Sequence, residues 1–316
     1  MFVYDLSNTF GRVRVHGETR IDFLHRMSSG EVRYLRPGQG AVTALTTPNA
    51  RMIDCVVALP FVDSLLLLTG AGNSAKVAAW LRKYVFFNDD VQIDDESDAQ
   101  LMLGIFGEGA ADFIFSAAGH AADHLVDKPV YSLAATQDVI VIKAPPMDGA
   151  GYYLIRMKPA AANGNAHALS TPLSHISYDD LRIAHGIPRF PNEISEEYIP
   201  LEAGLTDAVS FSKGCYIGQE IIARMDSRGQ IAKRLVKLQT GAGEIAEGDA
   251  IYDATLQPIG KVTSAQSTLF DGRRFALGYV RTAHAVAGEG VLIGANRVAA
   301  TVVSVNGELE TLPARR

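Results

Sequence analysis

Cysteine is nearly absent from this sequence: Cys55 and Cys215 are the only two in 316 residues. Two are too few for a disulfide framework, and 160 positions apart they do not have the spacing of a metal-binding pair. A reducing compartment, the cytoplasm, is therefore expected. Long apolar runs are missing as well. The longest, Ser64-Leu65-Leu66-Leu67-Leu68-Thr69, falls far short of the roughly 20 residues that cross a bilayer, and it reads as a buried strand. Met1–Leu6 lack the basic region and apolar stretch of a secretory signal. There is no basic excess either. Lys and Arg number 29 against 35 Asp and Glu, a net charge of −6, with an isoelectric point near 5.8. Broad electrostatic binding of nucleic acid relies on the opposite balance, so neither nucleic acid nor a membrane is expected as a partner.

What is present suits an ordinary globular protein. Hydrophobic residues make up 47% and charged residues 20% of the chain, and the mean hydropathy is +0.08. Its length supports two or three packed units. Arg12-Val13-Arg14-Val15 alternates as a strand does, and Ile21, Leu24 and Met27 recur every third position on one helical face. Val56–Leu59 and Leu65–Leu68 read as a hairpin across Pro60–Asp63. Asn73 can cap a helix whose Val77, Trp80, Leu81 and Tyr84 form a core-facing stripe, which makes Trp80 a packing residue. Strands at about 91–94, 101–106 and 138–143 and a helix near 108–118 continue an α+β order.

Residues 159–171 lack apolar periodicity and read as a mobile loop. Ser177-Tyr178-Asp179-Asp180 resembles a capping box before a short helix through His185, which Gly186 and Pro188 end. From Lys233 onward, short apolar strands alternate with glycine-rich turns: Leu235–Leu238, Ile259–Val262, Ala276–Val280 and Val302-Val303. Such spacing suggests a small barrel or sandwich, so the expected division is a body over 1–230 and a small β domain over 231–316.

The strongest local signal is Lys213-Gly214-Cys215-Tyr216-Ile217-Gly218-Gln219-Glu220. The glycines allow tight backbone paths and good helix formers follow Gly218, so Cys215 is expected at or near a helix start. Open N–H groups there and the adjacent Lys213 both favour thiolate, which makes Cys215 a candidate nucleophile with Lys213 as its activator. The alternative is a small buried hydrophobe in a turn. Glu220 and Arg224, spaced i, i+4, could be an exposed helix pair.

This octapeptide resembles the signature of the folate-binding YgfZ-type family, relatives of the glycine-cleavage T-protein. The likeness extends to Phe23-Leu24 after Gly17, to Ala44-Leu45-Thr46 with Pro48 and Arg51 ahead of Asp54, and to Leu81–Phe86 before Val91. Leu181–Pro188, Glu193 and Ile199–Leu205 are similar to the T-protein superfamily's Arg-containing helix, acidic turn and Pro-x-Glu. The resemblance implies two intertwined mixed α/β domains around a central folate cavity, plus a C-terminal β-barrel. It implies tetrahydrofolate or a one-carbon derivative as cofactor. Asp54, Arg182, Glu193 and Glu202 are then candidate folate residues, joined by Tyr216 and Gln219 of the octapeptide and by Arg224 just after it. Arg182 suits folate carboxylates or a carbonyl edge, or else an ion pair to Glu193 or Glu202.

Two departures separate the chain from the aminomethyltransferases. Their Gly-Tyr-Thr-Gly-Glu run has no counterpart, the nearest stretch being Gly151-Tyr152-Tyr153-Leu154, and their adjacent acids are replaced by Asp54-Cys55. The resemblance therefore implies a folate-binding accessory protein that supports assembly or repair of iron–sulfur enzymes, tRNA-modifying ones among them, with those enzymes or assembly proteins as partners. A folate-dependent aminomethyl- or methyltransferase is the rival. A resident cluster conflicts with the usual four cysteine ligands. His120 and His124 lack a third metal ligand, so no metal is expected, and no phosphate-cradling glycine loop is found in the required context.

Overall fold

The computed structural model describes residues 1–119, 123–158, 176–229, 231–241, 243–270 and 272–306. By compactness the chain divides into two units. The first is Met1–Thr46, Ile53–His175 and Ser210–Ile217; the second is Thr47–Met52, Ile176–Val209 and Gly218–Arg316.

The first unit opens with β1 (Phe2–Asp5), β2 (Gly11–His16), α1 (Arg20–Met27), β3 (Ala41–Thr46), β4 (Met52–Pro60), β5 (Ser64–Thr69), α2 (Ser74–Arg82) and β6 (Gln92–Asp95). It continues through β7 (Gln100–Phe106), α3 (Ala110–Ala118), β8 (Leu133–Ala135), β9 (Val139–Lys143) and β10 (Gly151–Met157). These strands make two five-stranded sheets, in orders β3-β4-β5-β2-β6 and β1-β7-β10-β9-β8. Because β1 joins one sheet and β2 the other, the two layers are intertwined from the first residues of the chain.

The β4–β5 hairpin is antiparallel with Val57 opposite Leu68 and Pro60 opposite Leu65. Every residue of β5 is buried, and each fully buried leucine contributes about 1.5–3 kcal/mol. Phe23, Leu24 and Met27 of α1 and Val77, Ala78 and Leu81 of α2 pack into the same core, with Trp80 and Tyr84 at its edge. Arg12 on β2 is fully buried, its guanidinium donating to the carbonyls of Ser7, Phe10, Ser97 and Gln100. Those four main-chain acceptors explain how a lone cation is tolerated there.

Asn73 corrects one expectation. It occupies the cap position of α2 but makes no capping bond with its side chain. Its amide donates instead to Ile53 O at 3.0 Å and Asp54 Oδ2 at 2.9 Å, because a buried carboxylate needs donors more than an open helix end does.

The second unit holds α4 (Tyr178–Ala184), α5 (Gln219–Arg228) and β11 (Lys233–Thr240), β12 (Ala250–Tyr252), β13 (Pro258–Ala265), β14 (Arg274–Arg281), β15 (Gly290–Ile293) and β16 (Val298–Val305). Ser177 caps α4, its Oγ accepting from Asp180 N at 2.9 Å. The six strands close into a barrel in the order β11-β14-β13-β12-β15-β16, around Val236, Leu238, Ile251, Val262, Val280 and Val302. Gly260 is needed for closure, since a Cβ there would lie 2.0 Å from Tyr279 O. The expected change of domain at about 230 falls between α5 and β11. By compactness, the unit that holds the barrel also takes in α4 and α5. Among the described residues no helix is long and apolar enough to cross a membrane. The loop at 159–171 and His120 lie outside the described residues; His124 lies in a short 3-10 turn.

Candidate functional site

In the first unit the nominated residues gather at two places. Asp54 lies on β4, fully buried. Its Oδ1 accepts from Cys55 N at 2.8 Å, and its Oδ2 accepts from Gly70 N and Asn73 Nδ2, both at 2.9 Å. Burial lifts the carboxyl to about 6 despite these three donors. The neighbouring Cys55 is half-buried and free. Burial, reinforced by the Asp54 carboxylate, pushes its thiol up to about 12, so at neutral pH it is a protonated side chain.

The second place is the loop from Ser210 to Ile217. Lys213 is buried, and its Nζ donates to the carbonyls of His25 at 2.7 Å, Ser28 at 2.7 Å and Gly30 at 2.6 Å. An ammonium has three hydrogens, and all three are used. Desolvation brings Lys213 down to about 8. Ser210 N donates to Ser29 O at 2.8 Å, and Thr46 Oγ1 to Ile217 O at 2.5 Å, so both ends of the loop are tied down. Between these ties Cys215 is exposed and free. Tyr216 is buried, its phenol pushed up to about 12, with the Lys213 ammonium 5.4 Å from its ring centre.

Two details differ from the sequence expectation. Lys213 spends its hydrogens on carbonyls, leaving none for the thiol. The helix begins at Gln219 after Gly218, whose φ of 86° makes the turn, so Cys215 precedes the first helical residue by four positions. On α5, Gln219 is half-buried, while Glu220 and Arg224 are exposed and form no ion pair with each other.

In the second unit Arg182 is central to a closed network. Its Nη1 donates to Ile187 O and Glu193 Oε2, each at 3.0 Å, its Nη2 to Ser264 Oγ at 2.7 Å, and its Nε to Asp179. Four of its five donors are thereby used. Glu193, fully buried, also accepts from Ser264 Oγ at 2.6 Å and Arg189 N at 3.0 Å. Of the two parts weighed for Arg182, this geometry displays the ion pair with Glu193. Tyr279 OH donates to Glu193 O at 2.8 Å, and the Tyr279 ring stacks on Tyr198 with centres 3.6 Å apart. Lys233 Nζ caps that stack at 4.3 Å. Nearby Glu202 is buried, accepts from Ile199 N at 3.1 Å, and lies 3.6 Å from Arg51 Nη1. Burial raises its carboxyl, with Lys233 and Arg51 opposing.

Sequence reasoning missed Asn73 as a carboxylate partner, Ser264 and Tyr279 as partners of Glu193, and Lys233. No local pattern marks these residues. No group of three or more His, Cys, Asp or Glu placed to hold a metal occurs among the described residues.

Comparison with known proteins places this architecture. Residues 2–141 match the GCVT N-terminal domain, and residues 233–305 match the glycine cleavage T-protein C-terminal barrel domain. A chloroplastic protein of Arabidopsis thaliana, named only as a transferase, is 30% identical over 306 residues, covering 92% of this chain and 68% of that protein. An aminomethyltransferase of Thermosynechococcus vestitus is 25% identical over 293 residues, 88% of this chain and 76% of the relative. The crystal structure of glycine cleavage system aminomethyltransferase T from Bartonella henselae superposes with a TM-score of 0.81 at 22% identity, covering 96% of this chain and 84% of the other, a likeness of fold. With both domains matched in chain order and a 30% identical relative along most of its length, the chain belongs to the glycine-cleavage T-protein family.

Proposed function

We propose that the protein binds tetrahydrofolate or a one-carbon derivative and acts as a YgfZ-type accessory factor for iron–sulfur enzymes, those that modify tRNA among them, without turning over an aminomethyl group. The observation that carries this reading is the pair Asp54-Cys55. Here one member is a carboxyl near 6 and the other a thiol near 12, which cannot serve as a base. A single carboxyl near 6 can hold a folate nitrogen or move one proton, but the second acid that the aminomethyltransferases carry beside it is replaced here by a thiol that stays protonated.

The side chains present fit a reduced folate in part. Arg224 and Gln219 on α5 offer open polar groups that match folate's carboxylates and amides. Arg182 and Glu193 are satisfied by each other and by Ser264, so in this reading they hold the 187–205 segment to the barrel rather than contact ligand. Glu202 and Tyr216 are buried. Cys215, an exposed thiol on a loop fastened at both ends, is the group offered to an iron–sulfur partner.

The test is an incubation of the purified chain with tetrahydrofolate and an aminomethyl donor, followed by mass spectrometry of the folate. Unchanged folate is expected. Methylenetetrahydrofolate formed in excess over protein would make the chain a transferase. Cys55→Asp, which restores the second acid, is the comparison protein.

A further inference from the structure

The first unit contains a cleft of about 540 Å³ that none of the proposed folate residues lines. One wall is Leu35 with Pro37–Gly40 and the other runs from His124 to Ala134, just before and into β8. Main chain holds the walls together. Leu133 N donates to Gly38 O at 3.0 Å, and Gly40 permits the approach, because a Cβ there would lie 2.4 Å from Tyr131 O. The two walls are therefore tied to each other through main chain.

Its lining has two characters. Leu35, Pro37, Pro129 and Leu133 give an apolar surface, while His124, Lys128, Gln39 and Ser132 supply the polar groups. None of the twelve lining residues carries a carboxylate, in a chain where acids outnumber bases by six. Lys128 is exposed and has no ion-pair partner among the described residues. Ser132 is only 7% exposed. Its main chain is satisfied, N to Pro129 O at 3.1 Å and O from Lys143 N at 2.8 Å, yet its hydroxyl has no hydrogen-bond partner among the described residues. The hydroxyl oxygen itself is not sealed from water, so it is open to a ligand in the cleft that Ser132 lines.

The geometry points to a binding site for a small amphipathic anion, separate from the proposed folate site: an apolar body against Leu35, Pro37 and Leu133, with a carboxylate or phosphate taken by Lys128 and Ser132. The volume is in the range of sites for compact organic ligands, of roughly 300–1,000 Å³, and a lysine and a hydroxyl on one wall are donors suited to either anion. An ammonium ligand would find no counter-charge in this lining.

The probes are 2-naphthoate, 2-naphthyl phosphate and the neutral 2-naphthamide, titrated into the full chain and followed by amide NMR. Saturable shifts are expected at Gly38, Gly40, Ser132 and Leu133 for the two anions, with dissociation constants at or below about 1 mM. Whichever of carboxylate and phosphate binds more tightly identifies the anion. The amide should bind about tenfold more weakly, and Lys128→Glu should weaken both anions by about tenfold or more. Ser132→Ala should weaken them less. Tetrahydrofolate affinity should be unchanged in Lys128→Glu. Absence of saturable shifts at these amides, or equal binding by naphthamide or by Lys128→Glu, overturns the site. A parallel loss of tetrahydrofolate affinity overturns its separateness.

Discussion

The ammonium of Lys213 sits 2.6 Å from the carbonyl oxygen of Gly30, a residue 183 positions earlier in the chain. With the carbonyls of His25 and Ser28 it closes a three-point clamp that fastens the Cys215 loop against the segment between α1 and β3. The clamp accounts for a buried lysine in an octapeptide that otherwise reads as a reactive-thiol motif.

Replacing Lys213 by Met should therefore cost stability first. Three carbonyls lose their donor, and buried unsatisfied groups cost about 1–3 kcal/mol each, so a loss of at least about 2 kcal/mol is expected in urea unfolding. Lys213→Arg should not restore it, because a planar guanidinium cannot meet three carbonyls that converge on one point. Full stability in either variant would remove the clamp from the account.

The two thiols should separate cleanly. Iodoacetamide at pH 7.5 should alkylate Cys215 in the native protein, as its exposure allows, and leave Cys55 unlabelled until denaturant is added, since that thiol is held near 12. Peptide mapping decides it. Native labelling of Cys55 ahead of Cys215 would contradict the assignment.

Asp54 should leave a mark on the pH dependence of stability. Its carboxyl titrates near 3.8 when unfolded and about 6 when folded, so the folded state binds the proton more tightly. The group's contribution is most favourable below pH 3.8, declines as pH rises from 3.8 to 6, and is flat above that. The decline amounts to at most about 3 kcal/mol. Unfolding curves between pH 4 and 7 should show this downward component in the wild type and lack it in Asp54→Asn. Identical slopes would place the proton elsewhere.

Arg182→Met should leave the fully buried Glu193 carboxylate without its cation, a change that costs about 3–5 kcal/mol. Adding Glu193→Gln should recover part of that loss, because the stranded charge is gone. A double variant as unstable as the sum of the singles would show that the two side chains do not act as a pair.

Legibility in the sequence followed distance along the chain. Ser177 was readable as a cap because its partner Asp180 is three residues away, and the β4–β5 hairpin because apolar runs flank a four-residue break. The Arg182–Glu193 pair, 11 residues apart, was visible as one of two alternatives. Asn73 was misread as a cap because the acid that claims it lies 19 residues upstream on another strand. Ser264, 82 residues from Arg182, and the carbonyl clamp on Lys213 had no sequence signal at all, since main-chain acceptors carry no residue signature. The strands β12 and β15, of three and four residues, have no counterpart among the strands expected from the sequence. Family resemblance supplied the intertwined sheets and chose the barrel over a sandwich, where periodicity alone suggested an α+β body and a small C-terminal β domain.

The central claim, that this member of the T-protein family binds reduced folate without transferring from it, is tested most directly by calorimetric titration of the full chain with tetrahydrofolate and its methyl and methylene derivatives, the folate being recovered afterwards and analysed. The account predicts saturable binding, weakened about tenfold or more by Arg224→Glu, with each folate recovered in the form added. Absence of binding by a folded protein would contradict it, as would recovery of a folate whose one-carbon state had changed.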